Sequence, residues 1–447
     1  MKLAILGTRG IPARYGGFET FAEELAVRLA GAGIHVTVFC PSSTAKPDHV
    51  YRDVRLRFVV SNAPKPFDQL GWDVKCLSLC RGQYDVVYML GTGGGFMAWV
   101  PRLFGAQVWM NTDGLEWRRS KWSFVGRAYL KLAEALSVIF ANRVIADSEA
   151  IARYLRDRYG RLAVISTIAY GAPRLESIPD HSPLRRWGLV EGEYYIVVCR
   201  LEPENNLLEL IEGFEASDCG RPLVILGNID KPNRYVRQLL AHRGEHVRFI
   251  GTVFDPGVLR ALRYHAAAYL HGHSVGGTNP SLLEAMACRN IVIAHDNPFN
   301  REVLRDSGLF FSTSSDVRRH IQRIERGGPD VKSMGTRAAL IVAATYTWER
   351  VTAQYLALVR DASARSGAPL LRQDRRIAAF GLEAQHGAQD GSPAGSARTA
   401  LNDSVSRTIT ATGGSTKGIP RRPMPRADHS GVSSDGGARV EDLRGTD

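Results

Sequence analysis

The sequence predicts an α/β protein of two doubly wound parallel sheets in tandem, with an interdomain cleft and a disordered C-terminal tail. Three observations predict it. Short apolar runs alternate with amphipathic helical stretches over residues 1–173, the pattern of strands and crossover helices in a parallel sheet. A polar, Pro-containing stretch, Arg174 to Pro183, interrupts the alternation, which then starts afresh. Beyond about residue 366 the composition turns to Gly, Ser, Thr, Ala, Pro, Arg and Asp.

In the first domain, 1–173, the strands are expected at Lys2 to Gly7, His35 to Cys40, Val54 to Val60, Asp85 to Gly91, Gln107 to Asn111, Arg143 to Ala146 and Ala163 to Ala169. Near-continuous apolar runs suit strands covered on both faces by helices. The second domain, 174–346, repeats the scheme at Tyr194 to Arg200, Pro222 to Gly227, Val247 to Gly251, Ala267 to His271, Ile291 to His295 and Leu309 to Ser312. Two Rossmann-like domains follow, with a ligand expected in the cleft that faces the carboxyl ends of both sheets. Thr347 to Ala362 has helical spacing, so 347–365 reads as a closing helix. In 366–447 Phe380 is the only aromatic residue; such a segment cannot bury enough apolar surface to offset its ordering entropy, which predicts disorder.

The chain of 447 residues carries 57 basic and 45 acidic side chains, net +12. That balance favours a polyanionic partner: a phosphorylated ligand, an anionic membrane surface or nucleic acid. Six scattered cysteines with no CxxC pair point to reduced core thiols rather than a disulfide scaffold. Cys76 and Cys80 lie a helical turn apart, too few ligands for a metal site. The strand-like KLAILG at the start is no secretion signal, and no run approaches the roughly 20 apolar residues that cross a bilayer. Any membrane association is expected to be peripheral.

The most informative stretch is HGHSVGGTNPSLLEAMA, residues 271–287. A strand runs into a loop through Gly276 and Gly277, after which Asn279 can cap a helix with Pro280 at its first position. Unpaired amides at such a helix start hold an anion, assisted by the helix dipole. Glu284 lies about one turn further on, in reach of ligand hydroxyls, so the segment suggests a nucleotide diphosphate bearing a sugar. Arg200, in RLEPENN, ends the second domain's first strand, and its guanidinium fork suits a diphosphate. The first and fourth strands of this fold are neighbours, which places Arg200 beside the loop before Asn279; Asn205 offers a neutral donor. His273 reads as a sugar or phosphate contact and His271 as a core residue, with no third ligand for a metal.

In the first domain, GTRGIPARYGGFET leads from strand to helix, and Gly16 and Gly17 allow close backbone approach. Read alone, that loop is equally a tight βα connection without a ligand. It is not GxGxxG, and the second strand ends at Phe39-Cys40 instead of an acid, which disfavours an NAD-dependent dehydrogenase. Asp113 and Glu116, in NTDGLEW, follow a strand end where a carboxylate binds sugar hydroxyls, acts as a base or merely caps a helix. From Trp117 to Lys131, basic and aromatic residues interleave without an acid, as suits a membrane interface; a solvated face with buried aromatics is the alternative, and single-stranded nucleic acid would also suit the mixture but no recognised binding module accompanies it.

The chain resembles the retaining GT-B glycosyltransferases of family 4, especially the bacterial rhamnosyltransferase branch of polysaccharide assembly, over roughly residues 1–362. The resemblance rests on GTRGIPARYGGFET, NTDGLEWRRSKW, IADSEAI, YGAP, RLEPENN and VGGTNPSLLEAMA in that order. It implies that Glu284, the second of the family's paired glutamates, holds the nucleotide ribose. The first falls on Gly276, so the amides of Gly277, Thr278 and Asn279 are expected to take over sugar or phosphate contacts. The family's Arg and Lys pair on the diphosphate becomes Arg200 and Asn205, and its frequent first-domain His becomes Asp113. These departures fit the rhamnosyl branch and imply dTDP-rhamnose, with a UDP- or GDP-sugar as the alternative donor.

The expected activity is metal-independent transfer with retention, without cofactor. Arg200 and the amides of Thr278 and Asn279 would neutralise the departing diphosphate, Asp113 would orient the sugar, and Gly16 and Gly17 would approach the diphosphate. A polyprenyl-linked saccharide acceptor is expected at the inner membrane face, near Glu116, Trp117, Arg118, Arg119, Lys121 and Trp122, for a cytoplasmic enzyme of surface polysaccharide synthesis that binds no nucleic acid. The competing readings are a nucleotide-sugar epimerase of the same fold and a non-enzymatic basic protein that binds membrane or nucleic acid.

Overall fold

The computed structural model describes residues 1–366 apart from 14, 15, 45, 61–67, 113, 120, 121 and 231. The segment expected to be disordered lies, from 367 on, outside the described residues. The first lobe runs β1 (Lys2–Leu6), α1 (Gly17–Gly31), β2 (His35–Ser42), β3 (His49–Tyr51), β4 (Val54–Val60), α2 (Asp68–Leu79), β5 (Val86–Leu90), α3 (Trp99–Leu103), β6 (Gln107–Asn111), α4 (Phe124–Phe140), β7 (Arg143–Ala146), α5 (Glu149–Tyr159) and β8 (Ile165–Thr167). Its strands form one sheet in the order β3-β4-β2-β1-β5-β6-β7-β8. Alternation across β1 shows why both faces need helices: Leu3 and Ile5 join the layer of Phe21 and Leu25, whereas Ala4 and Leu6 join that of Met89 and Val108.

The expected strands all form, trimmed or extended by a residue or two at their ends. Sequence reading missed β3, which pairs antiparallel with β4 across a two-residue turn. Arg52 and Asp53 hold positive φ there, 49° and 66°, a hairpin geometry that Asn-Gly pairs usually advertise. The segment 174–181 has no strand or helix, and a 3₁₀ turn, Ser182–Trp187, leads into the second lobe.

That lobe runs β9 (Tyr195–Val198), α6 (Leu207–Glu215), β10 (Leu223–Leu226), α7 (Arg234–Leu240), β11 (Val247–Gly251), α8 (Pro256–Tyr264), β12 (Ala268–His271), α9 (Pro280–Ala287), β13 (Val292–His295), α10 (Pro298–Leu304), β14 (Gly308–Phe311), α11 (Ser314–Arg326) and α12 (Pro329–Thr345). The sheet order is β11-β10-β9-β12-β13-β14, parallel throughout. Ala268 and Tyr269 of β12 pair with Tyr195 and Ile196 of β9, so the chain ends after these two strands emerge side by side.

The final helix, α13 (Trp348–Ser366), crosses back to the first lobe. Its Tyr355 hydroxyl lies 2.7 Å from that of Tyr88 on β5, Gln107 Nε2 donates to Ala362 O at 3.1 Å, and Arg143 on β7 pairs with Asp361 at 2.8 Å. Val351, Tyr355 and Val359 enter the same buried layer as Phe21 and Trp109. The last folded element of the chain thus completes the core of the first lobe.

Candidate active site

Asn279 caps α9 as its position predicts: its side-chain oxygen accepts from Ser281 N at 2.9 Å. Its carbonyl accepts from Leu282 and Leu283. Among the described residues, the amides of Gly277, Thr278 and Asn279 donate to no protein acceptor. They remain available to an anion in the positive field of the helix start. The Thr278 hydroxyl is engaged, donating to Asp147 O of the first lobe at 2.5 Å.

First-lobe loops meet this segment closely. A Cβ on Gly114 would fall 2.1 Å from Gly276 Cα, and one on Gly277 would fall 1.7 Å from Asp147 Oδ1. Gly17 faces Pro280, with 3.4 Å from an added Cβ to Cγ. Gly276 adopts φ 144°, a conformation closed to side-chain-bearing residues. Across the same junction Glu302 of α10 accepts from Glu149 N at 2.8 Å and Ala150 N at 3.1 Å, a carboxylate on the positive end of α5.

Arg200, Asn205 and His273 form a linked group beside this segment. Asn205 is buried; its Nδ2 donates to Arg200 O at 2.6 Å, and its Oδ1 lies 2.9 Å from His273 Nδ1. Asn205 therefore shapes the loop and holds the imidazole in addition to any contact with a ligand. The Arg200 side chain is exposed to solvent. Burial, with the positive charges of Arg119 and Arg200 and the neighbouring His295, lowers the His273 pKa to about 3. Cations from both lobes act on this one ring. Sequence reading missed two residues that set its position: Asn297 and Asn300, at the start of α10, each donate to His273 O at 3.0 Å. Their distance along the chain hid them.

Glu284 does lie one turn into α9, but its environment was not legible. Arg263 of α8, a buried guanidinium, places Nη1 2.7 Å from Glu284 Oε2, and the Glu284 side chain keeps 28% of its surface exposed. Arg263 Nη2 donates to Ser281 Oγ at 3.1 Å, and Tyr269 OH lies 2.7 Å from that oxygen. Glu284 is thus held through Oε2.

In the first lobe, the loop before α1 is pinned by carboxylates of that helix. Glu19 accepts from Arg9 N at 2.9 Å, and Glu23 accepts from Ala13 N at 2.6 Å and from the Tyr51 hydroxyl at 2.8 Å. Gly16 and Gly17 stand at the start of α1 with no side-chain cap. Asp113 and Lys121 lie outside the described residues. Glu116 pairs with Arg119 at 2.7 Å and accepts from Trp122 Nε1 at 3.2 Å. Trp117 packs on the core, with Arg118 and Lys131 over its ring at 5.2 and 4.5 Å. The outward apolar surface begins just after them: Phe124 is 87% and Leu132 59% exposed, and Leu103 of α3 is 72% exposed. Arg127 and Lys131 are exposed on α4 among these residues.

One acid lies beneath the glycine-rich turn after β5. Asp73 is buried, accepts from Gln69 Nε2 at 3.0 Å, and would touch side chains added at Gly93 or Gly94. Burial pushes its pKa from 3.8 up to about 7. The folded protein therefore retains a proton that the unfolded chain releases above pH 3.8, so the contribution of Asp73 to stability is most favourable below that pH and falls as pH rises towards 7. Asp73→Asn keeps the Oδ1 acceptor and removes the ionisation. It is expected to melt close to the parent at pH 4 but above it at pH 8, by up to about 4 kcal/mol, measured by calorimetry at both pH values.

Comparison with known proteins places this geometry. Residues 1–173 match a family described as a domain of unknown function (DUF1972), and residues 185–340 match glycosyl transferases group 1. Sucrose-phosphate synthase from Thermosynechococcus elongatus superposes with a TM-score of 0.70 at 20% identity, over 81% of this chain and 99% of its own. Anabaena HepE in complex with UDP gives 0.65 at 17% identity, over 81% and 100% of the two chains; in complex with UDP-glucose it gives 0.65 at 15%, over 80% and 99%. No curated protein matches. The fold is that of the GT-B glycosyltransferases, and the chain is a glycosyltransferase. More particularly, its second lobe carries a glycosyl transferases group 1 domain.

Proposed function

We propose that the enzyme transfers rhamnose from dTDP-rhamnose, with retention and without a metal, onto a polyprenyl-linked saccharide in cell-surface polysaccharide synthesis. The observation that carries the reading is the set of free amides of Gly277, Thr278 and Asn279 at the start of α9, with Arg200 close enough for its charge to act on the neighbouring His273. Cationic and dipolar donors aimed at one place stabilise the charge that grows on a departing diphosphate. Glu284 Oε1 takes a ribose hydroxyl, and Gly16 and Gly17 bring the first lobe up to the diphosphate. Asp113, the residue before Gly114 in the chain, orients the reacting sugar. HepE, a structural neighbour, holds UDP and UDP-glucose, which supports a nucleotide sugar; the rhamnosyl assignment rests on the motif resemblance.

The acceptor lies on the first lobe. The basic and apolar outer face of α4, with Leu103 exposed as well, supports docking at an anionic cytoplasmic membrane surface, and the linked Glu116, Arg119 and Trp122 precede that helix. Among the described residues no helix is long and apolar enough to cross a membrane.

Thermal-shift screening against dTDP-, UDP- and GDP-sugars in the presence of chelator tests the donor. A ligand at 100 times its Kd adds about 2.7 kcal/mol to the native state, and dTDP-rhamnose is expected to give the largest rise. Stabilisation by GDP-mannose alone would overturn the rhamnosyl assignment.

A further inference from the structure

We infer that His273 reads the transferred sugar: its Nε2 accepts a hydrogen bond from a sugar hydroxyl and makes no contact with the diphosphate. The inference rests on the nucleotide-sugar reading of the cleft and adds the atom that distinguishes a sugar nucleotide from its nucleoside diphosphate.

The hydrogen-bond network determines the tautomer. The Arg200 carbonyl can only accept, so the side-chain nitrogen of Asn205 must face it at 2.6 Å. Asn205 Oδ1 is then the atom 2.9 Å from His273 Nδ1. An amide oxygen only accepts, so Nδ1 carries the proton. Burial and the two nearby arginines keep the ring neutral, which leaves a lone pair on Nε2.

The lone pair has a fixed position and a cleared space. Asn297 and Asn300 hold the His273 carbonyl while Asn205 holds Nδ1, so neither backbone nor ring is free to turn. Nε2 lies 2.7 Å from the place a Cβ on Gly276 would occupy; only a bare glycine leaves the nitrogen uncovered. Phosphate oxygens are acceptors and repel such a lone pair, whereas a sugar hydroxyl donates to it. The surrounding groups assigned to the diphosphate, Arg200 and the α9 amides, are all donors. An uncharged acceptor among them reads a hydroxyl without the repulsion that a carboxylate would exert on a neighbouring diphosphate.

Two measurements on the full chain test this. In ¹⁵N-histidine-labelled protein, two-bond nitrogen spectra are expected to show His273 with Nδ1 protonated and Nε2 bare from pH 5 to 8; a protonated Nε2 overturns the inference. Calorimetric titration with dTDP-rhamnose and dTDP, and in parallel with UDP-glucose and UDP, then compares His273→Asn with His273→Gln. Asn replaces the Nδ1 atom and Gln the Nε2 atom. His273→Asn is expected to bind the sugar nucleotide about 3- to 10-fold more weakly, His273→Gln to retain most of the affinity, and both to bind the nucleoside diphosphate within about 2-fold of the parent. Equal losses in the two variants, or an equal loss with the nucleoside diphosphate, overturn the assignment. A parent protein that binds neither pair refutes the cleft reading instead, and the nitrogen spectra still decide the state of His273.

Discussion

Arg200→Ala is expected to lower kcat by about 100- to 1,000-fold, with a smaller rise in KM for the donor. Charge on the diphosphate oxygen is greatest as the glycosidic bond breaks, so a guanidinium aimed there contributes more to the transition state than to substrate binding. The side chain projects into solvent, and the loop is held by Asn205 through the Arg200 carbonyl, which the substitution leaves in place. Melting temperature should therefore hardly move, separating a chemical loss from a folding one. Arg200→Lys keeps the charge without the fork and should recover part of the loss. Steady-state kinetics at saturating acceptor measure both variants; a fall in kcat of less than about 5-fold for the alanine variant would place charge neutralisation elsewhere.

Glu284→Ala is expected to abolish donor binding and to destabilise the protein by about 3 kcal/mol, because it leaves the buried Arg263 guanidinium without its carboxylate. The estimate sits at the low end for a broken buried pair, since Glu284 keeps 28% of its surface in water and screening weakens the interaction. Inactivity of this variant alone would therefore confound lost ribose contact with damage to α8 and α9. Arg263→Met combined with Glu284→Gln separates them, because methionine fills the guanidinium's space without charge. The double variant should regain most of the melting temperature yet still bind dTDP-rhamnose at least 10-fold more weakly than the parent. Recovery of donor affinity along with stability would reduce Glu284 to a structural partner of Arg263.

The strands, the two repeats of the βα alternation and the cap at Asn279 were legible because each depends on neighbours a few residues away. Periodic burial, a capping side chain and Pro280 at the first helical position leave their mark within a single turn. The hairpin strand β3 escaped because it is short, largely exposed and joined by an unconventional Arg52-Asp53 turn. The positions of Arg200 after a strand and of Glu284 within a capped helix were readable, but those of Arg263, Asn297 and Asn300 around them were not. Nothing in the local pattern of α8 says that one arginine faces inward to a carboxylate on α9, and nothing in PFNREVL says that an asparagine holds a carbonyl beyond β12.

From the sequence alone came the α/β class, the two sheets and the helix start capped by Asn279, since propensity, periodicity and capping act over a few residues. Only the tertiary structure decided that α13 completes the first lobe, that Gly114 and Gly276 meet without side chains, and that Asn205 faces His273 with its oxygen. Those outcomes depend on burial and hydrogen-bond pairing between segments far apart in the chain. A buried polar group must find a partner wherever packing provides one, and the order of residues does not reveal where that will be.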